Sequence, residues 1–122
     1  MEAEGMSPRY LTLGPNGAIA EIELNRELAT LLSRLPDDPA LYFDLGEPHV
    51  MIPIEHLVNA RARERGIINA NRHMLVAANG KAKRKPLSVR PLENGLWLVV
   101  DGNSTLLNAR HSKWRVIPCC VG

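Results

Sequence analysis

The sequence predicts an α+β fold, a small mixed sheet with helices rather than a doubly wound sheet. Two observations carry this prediction. The elements predicted in the second half of the chain are, in order, a helix, a hairpin, a helix and a strand. They lack the regular alternation of strands and helices that a parallel sheet requires. The composition, 45% hydrophobic and 23% charged over 122 residues, is that of one globular domain. No apolar run reaches the roughly 18 residues of a membrane span, so we expect no membrane partner.

Glycine and proline residues, together with alternating apolar and polar side chains, divide the first half of the chain into segments. Glycine and proline residues make residues 1–17 a loose entry segment. Apolar and acidic side chains alternate over residues 19–24, which predicts a half-buried strand. Asn25 is expected to cap a helix over residues 26–34, and residues 41–45 are compatible with a short strand.

The composition changes near residue 48, and this suggests two parts. We expect residues 1–48 to form an acidic N-terminal extension, a strand plus a helix, that packs on the rest of the chain. Residues 49–122 form the domain itself. Its first strand covers residues 50–54, where Pro53 indicates an edge position.

The remaining elements follow from periodicity and turn residues. Residues 56–65 are weakly helical, and a better helix over residues 69–79 ends at Gly80, ahead of a basic loop at 81–85. Asn94-Gly95 between two apolar runs predicts a hairpin of residues 86–92 and 96–100. Ser104 or Thr105 is expected to cap a helix running to about residue 112, and residues 114–121 form a closing strand.

Charge is unevenly distributed along the chain. Residues 1–58 carry ten acidic and three basic side chains, whereas residues 59–122 carry three acidic and twelve basic ones. A basic half attracts anions such as nucleotides or DNA. The alternative is that the two halves neutralise each other, within one chain or in a homodimer. The adjacent Cys119 and Cys120 cannot staple a fold, so we expect a reducing, cytoplasmic location.

The turn in the segment VVDGNSTL carries the strongest chemical signal. A strand ends there, a glycine permits a left-handed turn, and small hydroxyl residues open a helix. The first amides of such a helix can bind phosphate, although an ordinary turn with a serine cap explains the same residues. The candidate phosphate-binding residues are Gly102, Asn103, Ser104 and Thr105. Asp101 is the best candidate for a catalytic carboxylate, or for a Mg²⁺ ligand with a bound nucleotide.

Several segments resemble the ParB/sulfiredoxin superfamily. They are KPLSV at 85–89, WLVVDGNST at 97–105, Asn108-Ala109, WRVIP at 114–118, VMIPI at 50–54 with His56-Leu57, and the stretch 61–74. The DGNST turn looks like that of ParB-like proteins of bacteria and phages. The resemblance spans about residues 50–121. It implies a small α+β domain that binds a nucleoside triphosphate at this turn, CTP as in partition proteins or ATP as in sulfiredoxins, with Mg²⁺.

The sequence departs from the family within the turn. Asn103 stands where sulfiredoxins carry a reactive cysteine, so sulfiredoxin chemistry is not expected. Ser104 and Thr105 stand where many members carry a basic pair, so other residues must neutralise the phosphates. Arg84 and Lys85 are the first candidates for this role, and the secondary candidates for the site are Arg61, Arg63, Asn69 and Asn108.

Three function classes remain open at this point. The first is a nucleotide-binding domain and, if it is an enzyme, a nucleoside triphosphate hydrolase. A nuclease is less expected because three acids in the second half give little of the carboxylate cluster that a two-metal site needs. The second class is a module that contacts the DNA backbone, and the third is an interaction domain that has lost the site. The four histidines have no metal-binding spacing, so no metal centre is expected.

Overall fold

A seven-stranded mixed sheet organises the described part of the chain, and the α+β fold class is confirmed. The computed structural model describes residues 8–80 and 82–122. The strands are β1 (Arg9–Leu13), β2 (Ile19–Glu23), β3 (Val50–Pro53), β4 (Leu57–Asn59), β5 (Leu87–Pro91), β6 (Trp97–Asp101) and β7 (Val116–Val121). Their order across the sheet is β2-β1-β4-β6-β5-β7-β3. The pairs β1–β4, β4–β6 and β5–β7 are parallel, and the others are antiparallel.

The predicted hairpin is the pair β5–β6, near the middle of this sheet. Its turn places Asn94 at φ 66° and Gly95 at φ 76°. These are the left-handed conformations that Asn and Gly tolerate best, which is why the pair predicts a hairpin. The edge position indicated by Pro53 is also confirmed, because β3 is an end strand of the sheet.

Three α-helices accompany the sheet in the described part of the chain: α1 (Arg26–Ala29), α2 (Glu64–Ala78) and α3 (Asn103–His111). The helices α2 and α3 are joined by a buried polar pair, in which Asn71 Nδ2 donates to Asn108 Oδ1 at 2.7 Å. Asn108 Nδ2 in turn donates to the carbonyl oxygen of Ile67 at 3.0 Å. These bonds fix the position of α3 against α2, and α3 directly follows the DGNST turn.

Two groups of buried apolar side chains form the core. In the larger group, the Trp114 ring stacks on Tyr42 with centroids 5.1 Å apart and meets the edge of Phe43 at 6.3 Å. The smaller group consists of Leu24, Leu28, Leu32, Ile67 and Leu107. Residues from the first half of the sequence therefore contribute to both groups, alongside residues of α2 and α3.

The first half differs from the sequence predictions in its strands. Residues 9–13, expected in a loose entry segment, form β1 because they pair with both β2 and β4. The strand over residues 19–24 is present as β2, but all five of its residues are exposed rather than half-buried. Among the described strands β2 has one neighbour, β1, and residues 19–23 belong to neither core group. Leu24, the last residue of the predicted strand, follows β2 and is buried in the smaller group. Residues 41–45 make a single bridge, Phe43 with Arg84, instead of a strand.

The helix predicted over residues 26–34 ends after one turn. Asn25 caps it as expected, since its Oδ1 accepts from the Leu28 amide at 2.9 Å. The chain then leaves the helix because the Asn71 side chain binds the amide of Ser33 at 3.1 Å and its carbonyl at 3.0 Å. Leu31, which a helix over residues 26–34 would place on the same face as the buried Leu28, is 61% exposed.

Three boundaries in the second half also differ. The weak helix expected over residues 56–65 is replaced by β4, whose three residues are buried and paired on both sides. Helix α2 begins at Glu64 rather than residue 69, after an Arg63 cap with no side-chain hydrogen bond. Helix α3 is capped by Gly102 instead of Ser104 or Thr105, because the left-handed turn already starts the helix at Asn103.

Residues 1–7 of the predicted entry segment and Lys81 of the basic loop lie outside the described residues. Within the described ranges, no helix combines the length and the apolar character needed to cross a bilayer.

Candidate functional site

The candidate site is centred on Gly102, which joins β6 directly to α3. Its φ of +102° lies in the left-handed region, and a Cβ added there would stand 2.8 Å from Leu87 Cγ on β5. Only glycine satisfies both the conformation and the close approach to the neighbouring strand. The sequence therefore brings the N-terminus of α3 tightly against the end of the hairpin.

Three amides at the N-terminus of α3 have no acceptor within the helix. The first bond of the helix runs from the Leu106 amide to the Gly102 carbonyl at 2.9 Å. The amides of Asn103, Ser104 and Thr105 precede it and so have no intrahelical acceptor. No side chain of the described residues caps this end. Such amides carry partial positive charge and point away from the helix, which suits them to an anion.

Thr105 adds a second unpaired group at the same point. The residue is 1% exposed, and its Oγ1 has no hydrogen-bond partner among the described residues. Buried hydroxyls are normally paired because desolvation without a partner costs about 1–3 kcal/mol. Thr105 also lines both clefts that open beside the turn. Its hydroxyl is enclosed in this structure, so a ligand or a water molecule reaches it only when the neighbouring side chains move aside.

Two clefts flank the turn and share part of their walls. The first has a volume of about 320 Å³ and the second about 330 Å³. Both are lined by Arg84, Asp101, Gly102 and Thr105. The first adds His73, Lys85, Pro86 and Leu87, and the second adds Arg61, Val100, Asn103 and Ser104. The fold therefore brings all of the first-choice candidates and Arg61 together around one turn.

Arg84 is the best-positioned cation of this group. Its backbone is held by the single bridge to the first half, with its amide donating to the Tyr42 carbonyl at 2.8 Å. Its Nη1 donates to His73 Nδ1 at 2.8 Å. Burial lowers the pKa of Arg84, and the negative charge of Asp101 opposes that shift. Arg84 is therefore a partly buried cation near a single carboxylate, held in place from two sides.

His73 was not a candidate from the sequence. His73 lies on α2, and Arg84 lies in the loop that follows α2. Neither the sequence spacing of the two residues nor their types predicts that they are in contact. Because guanidinium groups only donate, the bond requires an unprotonated Nδ1 on His73.

The other basic residues near the turn have different roles. Lys85 and Arg61 are exposed and line one cleft each. Lys83, from the same basic loop, donates through Nζ to the carbonyls of Leu41 at 2.6 Å and Ala77 at 3.2 Å. Lys83 thereby closes the C-terminal end of α2 and is not available to the clefts.

Two of the predicted asparagines hold the fold together instead of facing a cleft. The Asn103 Oδ1 accepts from the Ala60 amide at 2.8 Å, and its Nδ2 donates to the Val99 carbonyl at 3.0 Å. Asn103 thus contributes only its amide to the clefts. Asn108 is fully buried between α2 and α3. Arg63 and Asn69 are exposed, and neither lines a cleft at the turn.

The acid–base groups near the turn are few. Asp101 is exposed and is the one carboxylate in the walls of the two clefts as described. Within residues 8–80 and 82–122, no cluster of three or more metal-ligand side chains occurs. Burial raises the pKa of the Cys119 thiol to about 12, so it is not a nucleophile at neutral pH. The arrangement favours binding an anion, with Asp101 free to meet a cation that accompanies it.

No protein-family model matches this sequence. No curated protein matches it either. The resemblance of the turn and its flanking strands to the ParB/sulfiredoxin superfamily therefore stays a prediction.

Proposed function

We propose that the protein is a ParB-like nucleotide-binding domain that holds the phosphates of a nucleoside triphosphate at the N-terminus of α3. The amides of residues 103–105 bind phosphate oxygens in this proposal. The hydroxyls of Ser104 and Thr105 add two donors.

The observation that carries the proposal is the Thr105 hydroxyl, which has no hydrogen-bond partner in residues 8–80 and 82–122. An uncapped helix end is common, but a buried hydroxyl left without a partner at the same end is not. A phosphate oxygen next to the turn gives the hydroxyl an acceptor and the amides a counter-charge. One ligand group then resolves both features.

Charge neutralisation is assigned to the cations around the clefts. Arg84 has a planar fork of donors suited to phosphate, while Lys85 and Arg61 supply charge from the rims of the two clefts. They replace the basic pair that many family members carry in the turn. A ligand that spans both clefts passes Arg84, the cation that the two clefts share.

Asp101 has a separate part in the proposal. Mg²⁺ enters such sites with the nucleotide, and typically binds one or two carboxylates besides phosphate oxygens and water. Asp101 is the carboxylate available at the turn, so we assign it to that ion. Cys119 and Cys120 are free thiols, which supports the cytoplasmic location that we propose.

The test is a thermal-shift and calorimetric panel with CTP, ATP, GTP and UTP, each with and without Mg²⁺. A nucleotide at about a hundred times its Kd should stabilise the fold by about 2.7 kcal/mol. The double variant S104A/T105A should lose this stabilisation. The matched control T30A/S33A changes the same residue types on an exposed part of the first half and should keep it.

Two results would overturn the proposal. One is full nucleotide affinity in S104A/T105A, which would place the ligand elsewhere. The other is the absence of binding by any of the four nucleotides. If duplex DNA then bound with an affinity that falls steeply with salt, contact with the DNA backbone would be the better explanation.

A further inference from the structure

Arg110, near the C-terminal end of α3, is a buried cation. It is 6% exposed, and its Nε donates to Asn59 Oδ1 at 3.0 Å. Its Nη2 donates to the Leu57 carbonyl at 2.6 Å, and its guanidinium lies 5.4 Å from the centre of the Tyr10 ring. All of these partners are formally neutral. Burial lowers the pKa of Arg110 to about 10, so the group is still charged at neutral pH.

A buried charge without a counter-ion is unusual. Buried ionised groups are normally paired with an opposite charge, because desolvation is otherwise uncompensated. Among the described residues, no carboxylate forms an ion pair with Arg110. Its Nη1 makes no hydrogen bond to the described residues. Thr105 Oγ1 is the one enclosed side-chain atom without a partner among these residues, and Nη1 is not in that class. Arg110 nevertheless borders open space.

The open space is a cavity of about 640 Å³ that Arg110 lines. It lies at the end of α3 opposite to the Gly102 turn. Apolar side chains form part of its wall, among them Ile54 and Trp114. The cavity therefore offers a buried donor group together with an apolar surface, a combination typical of small-molecule sites.

Further cations surround the cavity. Lys113 and Arg115 are exposed lining residues, and Glu55 is the acidic residue in the described lining. Arg9 also lines it, but this arginine is paired with Glu21 at 3.4 Å. Asp37 is nearby through the Arg115 amide, which donates to its Oδ2 at 3.3 Å, but it is not part of the wall. Among the described residues, Arg110, Lys113 and Arg115 have no carboxylate partner and face one carboxylate, an excess that suits a doubly charged anion.

Lys113 occupies its position at a conformational cost. Its φ is 61°, in the turn that ends α3. The Lys113 amide donates to the Arg110 carbonyl and the Trp114 amide to the Ala109 carbonyl, the two bonds of a Schellman motif. Glycine is the usual residue at this left-handed position because it has no Cβ. A lysine there brings a cation to the rim of the cavity where glycine would be more stable.

We propose that this cavity is a second anion site, which binds the phosphate of a small organic phosphate monoester. The phosphate group pairs with Arg110, Lys113 and Arg115, and the organic part lies against Ile54 and Trp114. A dianionic phosphate matches the charge excess better than a singly charged carboxylate does. The burial of Arg110 favours a small ligand over the DNA backbone, which meets exposed cations.

The test uses phenyl phosphate as the probe, titrated into the full chain and followed by calorimetry and by NMR. We expect saturable binding that shifts the signals of the Arg110 Nε–H and the Trp114 indole N–H. The variant K113G/R115Q removes two cations and should fold well, because glycine relieves the left-handed turn. Its Kd should rise by about tenfold or more, since each lost charge-assisted contact costs affinity. The matched control R72Q/R90Q removes two exposed arginines that do not line the cavity and should leave the Kd unchanged.

Several outcomes would overturn the inference. Failure of phenyl phosphate to saturate at millimolar concentrations would mean that the cavity is not a phosphate site. Benzoate binding as tightly as phenyl phosphate would refute the ligand class. Equal losses in both double variants would show a general charge effect. If affinity fell in T105V and not in K113G/R115Q, the probe would be binding at the Gly102 turn. Displacement of phenyl phosphate by duplex DNA would indicate a macromolecular partner.

Discussion

Replacing Thr105 by valine separates the stability of the fold from binding at the turn. Valine keeps the branched shape and removes only the hydroxyl, which has no partner among the described residues. An unpaired buried hydroxyl costs about 1–3 kcal/mol. The ligand-free variant T105V should therefore be more stable than the wild type by about 1 kcal/mol or more. For a domain of this size that raises Tm by roughly 3–6 °C.

Thr12 provides a matched control for the same substitution. Its hydroxyl donates to the Asn59 carbonyl at 3.2 Å, so T12V loses a hydrogen bond that the fold uses. We expect T12V to be destabilised by about 1 kcal/mol. The free energy of unfolding should therefore rise in T105V and fall in T12V. Urea and thermal unfolding of the ligand-free proteins measure this difference.

T105V should bind nucleotide more weakly than the wild type, although its ligand-free form is more stable. Loss of one hydrogen bond to a charged phosphate costs about 1.5–3 kcal/mol, which is roughly a ten- to hundredfold increase in Kd. Calorimetric titration with whichever nucleotide binds the wild type measures this. If ligand-free T105V is destabilised to the same extent as T12V, the Thr105 hydroxyl has a partner in the folded protein and our reasoning about the turn is refuted.

Three further predictions concern stability. G102A should be less stable than G80A by at least about 1 kcal/mol in urea unfolding. Both glycines have positive φ, but of the two only Gly102 has a neighbouring side chain that an added Cβ would overlap. Equal losses of stability in the two variants would contradict this prediction. Burial lowers the pKa of His111 in the folded protein, so the unfolded chain binds a proton at this residue at a higher pH than the folded protein does. Tm should therefore fall as the pH drops below about 6.5. H111Q should weaken this pH dependence of Tm, and an unchanged dependence would argue against the assignment to His111. N108A should cost about 1–3 kcal/mol because it leaves one N–H of the Asn71 amide without an acceptor, while the other still donates to the Ser33 carbonyl. A loss below about 0.5 kcal/mol would show that water replaces the bond.

The elements predicted correctly from the sequence are those determined by local conformation. Asn94-Gly95 fixes the hairpin because its backbone angles are set by those two residues themselves. Asn25 caps α1 through a bond to a residue three positions away. Gly102 was singled out for a left-handed turn for the same kind of reason.

The errors have a different physical origin. Strand β4 is buried on both faces and paired on both sides, so its short sequence shows no alternation that periodicity could detect. Helix α1 stops early because Asn71, far away in the sequence, takes the backbone groups of Ser33. No local pattern contains such a contact.

The candidate site divides in the same way. The turn residues could be selected because one short segment supplies the glycine, the amides and the hydroxyls. The use of the Asn103 side chain to tie β6 to the Ala60 amide depends on tertiary packing and could not be predicted. The contact of Arg84 with His73, and the buried position of Arg110, are likewise products of the completed fold.

The order of the strands has a consequence for how the chain folds. Strands from the first half of the chain, β2, β1 and β4 at one end and β3 at the other, flank the second-half strands β6, β5 and β7. Strand β3 has β7 as its neighbour, with Val50 opposite Cys119, and a lone hairpin such as β1–β2 is only marginally stable in water. While the protein is being synthesised, these early strands have no sheet to join, and the long loops closed by their pairing make folding slow. The exposed apolar side chains of Val50 and Met51 are then at risk of pairing with other chains until β7 emerges.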